Sequence, residues 1–195
     1  MNQRSAERHQ WDMSIAIASD PALGVTHEER LQRALAGDET AFTWIVETYS
    51  ADMAQVCLVV VGDLELADEA VAAAWPIAWR KLGSLREPDR LRSWLISIAA
   101  NQARQMARSR RRRSVREVAV SLTDEPVHST DRDAAIDLAN ALASLTPDDR
   151  ALLAMRYVAG FDSNELARAT GRSASGTRAR LARLLDRMRR ELGDD

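Results

Sequence analysis

Cysteine is nearly absent: Cys57 is the only one in 195 residues. That excludes a disulfide framework and any cysteine-based zinc site, and it suits a reducing cytoplasm, where the chain is expected to reside. Histidine is scarce too. His9, His27 and His128 fall in an N-terminal extension, at a helix start and in an inter-domain stretch, with no ligand spacing among them. Aromatics make up only 5% of the chain, and eight Gly and five Pro are too few for a collagen-like or low-complexity sequence. A hydrophobic share of 46% excludes a disordered tail. No run approaches the ~20 apolar residues that span a bilayer, so no membrane partner is expected. The short apolar stretch Met13–Ala18 follows Arg4 and Arg8 but is too brief for a signal-peptide core, so residues 1–25 read as an extension, with Met13 an alternative start. There is no Gly-rich phosphate loop and no nucleophile elbow. The acid pairs Asp68-Glu69 and Asp148-Asp149 sit at expected helix starts, where carboxylates complement the helix dipole. Catalysis, a metal site and a cofactor are therefore not expected.

Helix signals run through the rest. Thr26 and Glu29 have capping-box spacing ahead of Leu31, Ala34 and Leu35. Asp38 is a good N-cap for a helix to about Val61, with Phe42, Ile45, Val46 and Tyr49 at i, i+3, i+4, i+7 spacing. After Gly62-Asp63, a helix over about Glu65–Leu82 contains Pro76, which removes a backbone donor and should kink it. Gly83–Asp89 is a loop, and a further helix from near Arg90 runs into an arginine cluster. Residues 114–133, rich in Ser, Thr and Asp, read as a linker. A second helical block starts near Asp133 and breaks at Thr146-Pro147, Gly160 and Gly171, with Asp162 and Glu165 as a second capping-box pair and Ser173 capping a long last helix. The fold class is all-α: two small helical domains, over 26–113 and 134–195, joined by a flexible acidic linker.

The formal net charge of −2 conceals a strong segregation. Residues 104–116 hold seven Arg and no acid, residues 117–149 hold eight acids and one Arg, and residues 172–190 hold seven Arg and one Asp. Asp162–Leu185 has the length and turn of a helix-turn-helix. On its second helix Thr177, Leu181, Leu184, Met188 and Leu192 form an apolar stripe, while Arg180, Arg183, Arg187 and Arg190 form a cationic one. A cationic stripe away from a buried one is the footprint of a groove-entering helix, although the same stripe also describes a solvated helix of a bundle. Asp186 is the only acid within 172–190, so pairing along that helix can neutralise little of the charge. The first domain ends similarly: Trp94, Leu95, Ile98 and Gln102 share a mostly apolar face, and Ser97, Asn101, Arg104, Arg108 and Arg111 the opposite one. Guanidinium groups there suit phosphates and Asn101 a base edge, or the arginines simply solvate a domain end. Trp75, Trp79 and Trp94 read as core rather than as stacking platforms.

These residues together resemble an extracytoplasmic-function (ECF) sigma factor of bacterial RNA polymerase, over about residues 30–192. Ala41–Ser50, Gly62–Val71, Ala78–Leu82 and Trp94–Arg108 resemble sigma region 2. Leu142–Phe161 and Asn164–Leu184 resemble region 4, with no region 3 between. The resemblance implies a dissociable initiation subunit with core RNA polymerase and promoter DNA as partners, and an anti-sigma factor as a family expectation. It implies −10 contacts from Asn101, Arg104, Arg108 and Arg111, with Asn101 beside the Ser84–Arg92 loop helping to form a pocket for a flipped base. It implies −35 contacts from the Ser173–Arg187 segment, through Ser173, Ser175, Gly176, Arg178, Arg180, Arg183 and Arg187. Core polymerase would meet Asp68, Glu69, Ala72 and Ala73. There the chain departs from the family, since Ala72 and Ala73 replace a polar pair and Pro76 follows. Gln105 stands for the usual Asp. Thr170, Arg172 and Thr177 stand where aliphatics are usual, which implies a loosely packed helix-turn-helix, and Gly176 lies inside the last helix. Two other readings stay open: a stand-alone helix-turn-helix regulator, and a helical protein-interaction module that does not bind DNA. The acidic tether is also expected to fold back and mask the basic surfaces, so that deleting Asp124–Asp133 would increase DNA binding.

Overall fold

The computed structural model describes residues 26–114 and 130–193. Among them there is no strand. The helices are α1 (His27–Leu35), α2 (Glu39–Val61), α3 (Leu64–Lys81), α4 (Leu91–Ser114), α5 (Thr130–Ser144), α6 (Pro147–Tyr157), α7 (Ser163–Thr170) and α8 (Ala174–Leu192). Short polar side chains set most of the starts. Thr26 accepts from the Glu29 amide while Glu29 reaches back to the Thr26 amide, closing the expected capping box. Asp38 accepts from the Thr40 and Ala41 amides, Asp63 from Leu66, and Thr146 from Asp149. Gly62 ends α2 at φ 72°, in the left-handed region where a glycine carries no Cβ penalty.

The helix α2 is the hub. Ile45, Met53, Val56, Cys57 and Val60 are fully buried along it, and α1, α3, α4 and α6 all pack against it. By length and mean hydropathy α2 also matches a membrane span, but in this fold one side of it is buried under the helices packed on it. The ring of Phe42 lies edge-on to Trp75 at 5.8 Å and tilted against Trp79 at 4.7 Å, while Trp75 and Trp94 pack on the core half-buried. The same core runs on into α6, α7 and α8 through Leu152, Met155, Phe161 and Leu166.

The helix α3 includes Pro76 within its length, with Ala72 and Pro76 both on its exposed face, where the carbonyl deprived of a donor is open to water. Three local expectations change. The helix α5 begins at Thr130, three residues before the expected start. Leu192 leaves the buried stripe of α8 and is 39% exposed. Asp68 and Glu69 lie a full turn inside α3 rather than at its start. The tether's acidic stretch and its masking role lie outside the described residues.

The packing of the hub can be tested in two ways. Ile45→Ala opens a cavity at a site with no exposure and is expected to cost about 2–5 kcal/mol in urea denaturation. Burial pushes the Cys57 thiol up to about 12, so the thiolate is scarce at neutral pH. Iodoacetamide is therefore expected to label Cys57 in urea and to leave the native protein unmodified; rapid native labelling would mean that α2 is not packed as described.

Candidate nucleic-acid interface

The helix-turn-helix is built by local chemistry. Asp162 and Glu165 form a second capping box at the start of α7, and Gly171 ends that helix at φ 65°. Ser173 then caps α8 by accepting from the Gly176 amide at 3.1 Å. An added Cβ at Gly176 would stand 3.0 Å from that same Ser173 oxygen, so the glycine belongs to the cap and does not interrupt the helix interior. Thr177 is fully buried, and its hydroxyl donates to the Ser173 carbonyl at 2.9 Å. The expectation of a loose unit therefore fails at Thr177: its polar atom is satisfied and its bulk is packed. Thr170 likewise donates to Leu166 at 2.7 Å.

Along α8, Ser175, Arg178 and Arg183 are exposed, and among the described residues the two arginines have no ion pair. Arg180 and Arg187 differ. Arg180 is half-buried, with its Nε donating to Asp149 at 2.7 Å, while Arg187 donates to Glu191 at 2.8 Å and to the Ser144 hydroxyl at 3.2 Å. The stripe is more neutralised than the acids within residues 172–190 suggest, because Asp149 arrives from α6 and Glu191 from the following turn. Burial works against the Asp149 carboxylate, but hydrogen bonds from Arg180 and Thr146, with the charges of Arg180 and Arg187, hold it below the usual carboxylate range.

On α4 the face expected to be open is partly covered by α6. Asn101 accepts from Arg104, and both Arg104 and Arg108 meet Asp148, the former at 3.6 Å. The Arg104 side chain keeps only 15% of its exposure. Burial lowers its pKa, against the pull of Asp148 and with the push of Arg108. Arg111 is exposed one turn further on. The packing thus brings Asn101, Arg104 and Arg108 together with Arg180 around one cavity of about 310 Å³, while Arg178, Arg183 and Arg111 stand apart from it. A separate surface lies on α3, where Asp68, Glu69 and Ala72 are exposed beside Leu64, and Ala73 is half-buried.

Asp148 and Asp149 have the helix-start role expected of them, but their arginine partners were not legible in the sequence. Nor were the roles of Arg92 and Arg150. Arg92 donates to Asp52 at 2.6 Å and to the Ala159 carbonyl at 2.8 Å. Arg150 donates to the Val60 carbonyl at 2.6 Å and lies within 3.3–3.5 Å of the Leu142, Ala143 and Leu145 carbonyls.

Two family models match the chain in succession: sigma-70 region 2 over residues 45–113, and sigma-70 region 4 over residues 135–188. The chain belongs to the sigma-70 family, among its extracytoplasmic-function members. A probable RNA polymerase sigma factor, RfaY of Xanthomonas campestris pv. campestris, is 27% identical over 186 residues, covering 89% of this chain and 46% of that protein. The chain thus spans less than half the length of that relative. The ECF RNA polymerase sigma factor SigL of Mycobacterium tuberculosis is 29% identical over 165 residues, covering 79% of this chain and 84% of SigL. In fold, the chain is similar to the sigma factor RpoE of Bartonella quintana, solved in complex with the anti-sigma factor NepR. The TM-score is 0.62 at 21% identity, covering 79% of this chain and 98% of that one. In sigma terms, α2–α4 carry most of the region 2 match and α5–α8 the region 4 match.

The depressed pKa of Asp149 sets a direction for acid. The ionised carboxylate is the form the fold favours, so its stabilisation is complete above the ordinary carboxylate pKa of about 4 and is lost as pH falls through the lower folded value. Thermal midpoints taken between about pH 6 and pH 3 are expected to fall less steeply in Asp149→Asn than in the parent chain. Equal slopes would detach Asp149 from the acid response.

Proposed function

We propose that this chain is a promoter-specificity subunit of bacterial RNA polymerase that directs promoter recognition, opening and transcription initiation, and that it works in the cytoplasm as a regulatory protein without catalysis of its own. The observation that carries this reading is the pair of sigma-region matches, in order, on two helical units that each expose arginines. In this reading domain 26–113 meets core polymerase through the exposed α3 face of Asp68, Glu69, Ala72 and Ala73. Its α4 residues Asn101, Arg104, Arg108 and Arg111 meet the −10 element. Domain 134–195 sets the first turns of α8 in the −35 major groove. There Ser173, Ser175 and Gly176 bring the helix start close to the duplex, and Arg178, Arg180, Arg183 and Arg187 supply the cations. An anti-sigma factor is the proposed regulatory partner, by analogy with the complex formed by the RpoE protein.

The ion pairs of Arg104 and Arg108 with Asp148, and of Arg180 with Asp149, favour a resting form that binds promoter DNA poorly without polymerase. This sets the reading apart from a stand-alone regulator, which would shift specific duplex DNA by itself, and from an interaction module, which would bind DNA in neither state.

Run-off transcription with purified core polymerase on cognate promoter DNA is the direct test: a specific transcript and co-purification with core are expected, and the absence of both would overturn the reading. With core present, Arg178→Ala and Arg183→Ala are each expected to weaken −35 binding. Each should also flatten the log–log salt dependence of binding by about 0.9, the slope that one neutralised phosphate of duplex DNA supplies. An unchanged slope in both variants would remove these residues from the interface.

A further inference from the structure

The cavity between α4 and the α7–α8 turn carries an excess of positive charge that, among the described residues, is not balanced. Arg104, Arg108, Arg172 and Arg180 line it, and Asp148 is the one carboxylate among its lining residues. Asp148 serves both Arg104 and Arg108, while Arg180 is held by Asp149. Among the described residues Arg172 has no ion pair, although it is carried at a fixed place by the turn that ends α7. Arginine stays charged at any physiological pH, so the excess cannot be relieved by losing protons, and a bound anion would meet it. The volume, about 310 Å³, lies at the small end of ligand pockets and is far too small for a double helix. Guanidinium forks match phosphate oxygens, and several of them around one cavity match a group with several charged oxygens close together. Asn101 and Gln105 add amide groups to the lining.

We propose that this cavity is a binding site for a diphosphate group, free or carried by a nucleoside, which bridges Arg104 and Arg108 of α4 to Arg172 and Arg180 of the helix-turn-helix. Because the two pairs of arginines come from opposite halves of the molecule, the bound anion holds those halves together. The inference does not rest on the promoter reading, and its failure leaves that reading untouched.

The test is isothermal titration of the full chain with inorganic pyrophosphate at fixed ionic strength, with sulfate as control and adenosine diphosphate as a second arm. One saturable site that sulfate does not match is expected, together with a rise in the thermal midpoint at saturating pyrophosphate. Arg172→Ala should weaken binding about tenfold, the loss expected for one charge-assisted contact. Arg189→Ala, which removes an equal charge from α8 outside the cavity, should leave it within about twofold. Asp148→Asn should tighten binding, since it removes the carboxylate that competes for two of the arginines. Adenosine diphosphate binding more tightly than pyrophosphate supports the site and assigns the nucleotide as its source; equal binding supports it and assigns the free diphosphate. Absence of saturation, equal binding of sulfate, equal losses in Arg172→Ala and Arg189→Ala, or weaker binding in Asp148→Asn would each overturn it.

Discussion

Everything in this molecule hangs on how α6 is seated between α2 and α4. Its apolar residues Ala151, Leu152, Ala154 and Met155 are buried, and Arg150 fixes its position by a purely electrostatic device. A helix leaves its last carbonyls without partners, and these carry the negative end of its dipole. Arg150 takes up the Val60 carbonyl at the end of α2 and lies against the carbonyls that close α5. One guanidinium thereby ties two helix ends, one from each sigma region, to a third helix. Arg92 does comparable work nearby, joining Asp52 of α2 to the Ala159 carbonyl just beyond α6.

Once α6 is held there, the rest of the electrostatics is forced. Its first turn carries Asp148 and Asp149, which on sequence grounds belong there as complements to the dipole. In the folded chain they point their charges in two directions, Asp148 to the arginines of α4 and Asp149 to Arg180 of α8. Within the segments of extreme charge, Arg104, Arg108 and Arg180 are thus paired with acids far off in sequence, while Arg187 and Arg189 pair with near neighbours.

This is also where sequence and structure part company. Features encoded within four residues were legible: the Thr26 and Asp162 capping boxes, the Asp38 and Ser173 caps, the glycine stops at Gly62 and Gly171, and the buried run of Thr177, Leu181, Leu184 and Met188. The helical content and the order of the two units followed from them. What could not be read was which surfaces meet. The partners of Arg104, Arg108 and Arg180 lie 31 to 44 residues away, and no periodicity links them. For the same reason Arg104 read as open when it is largely covered.

All but one of the 27 basic residues are arginine, Lys81 being the exception, so every cation at the junction around α6 keeps its charge far into alkali. Among the anions opposite them, Asp149 is held below the usual carboxylate range, so only a deep fall in pH discharges it. The junction is consequently one-sided in its chemistry: base leaves the arginines charged, whereas strong acid removes the negative charge of Asp149. The apolar contacts of α6 and the carbonyl bonds of Arg150 do not titrate, and they are what would still hold the two halves together after Asp149 has been protonated.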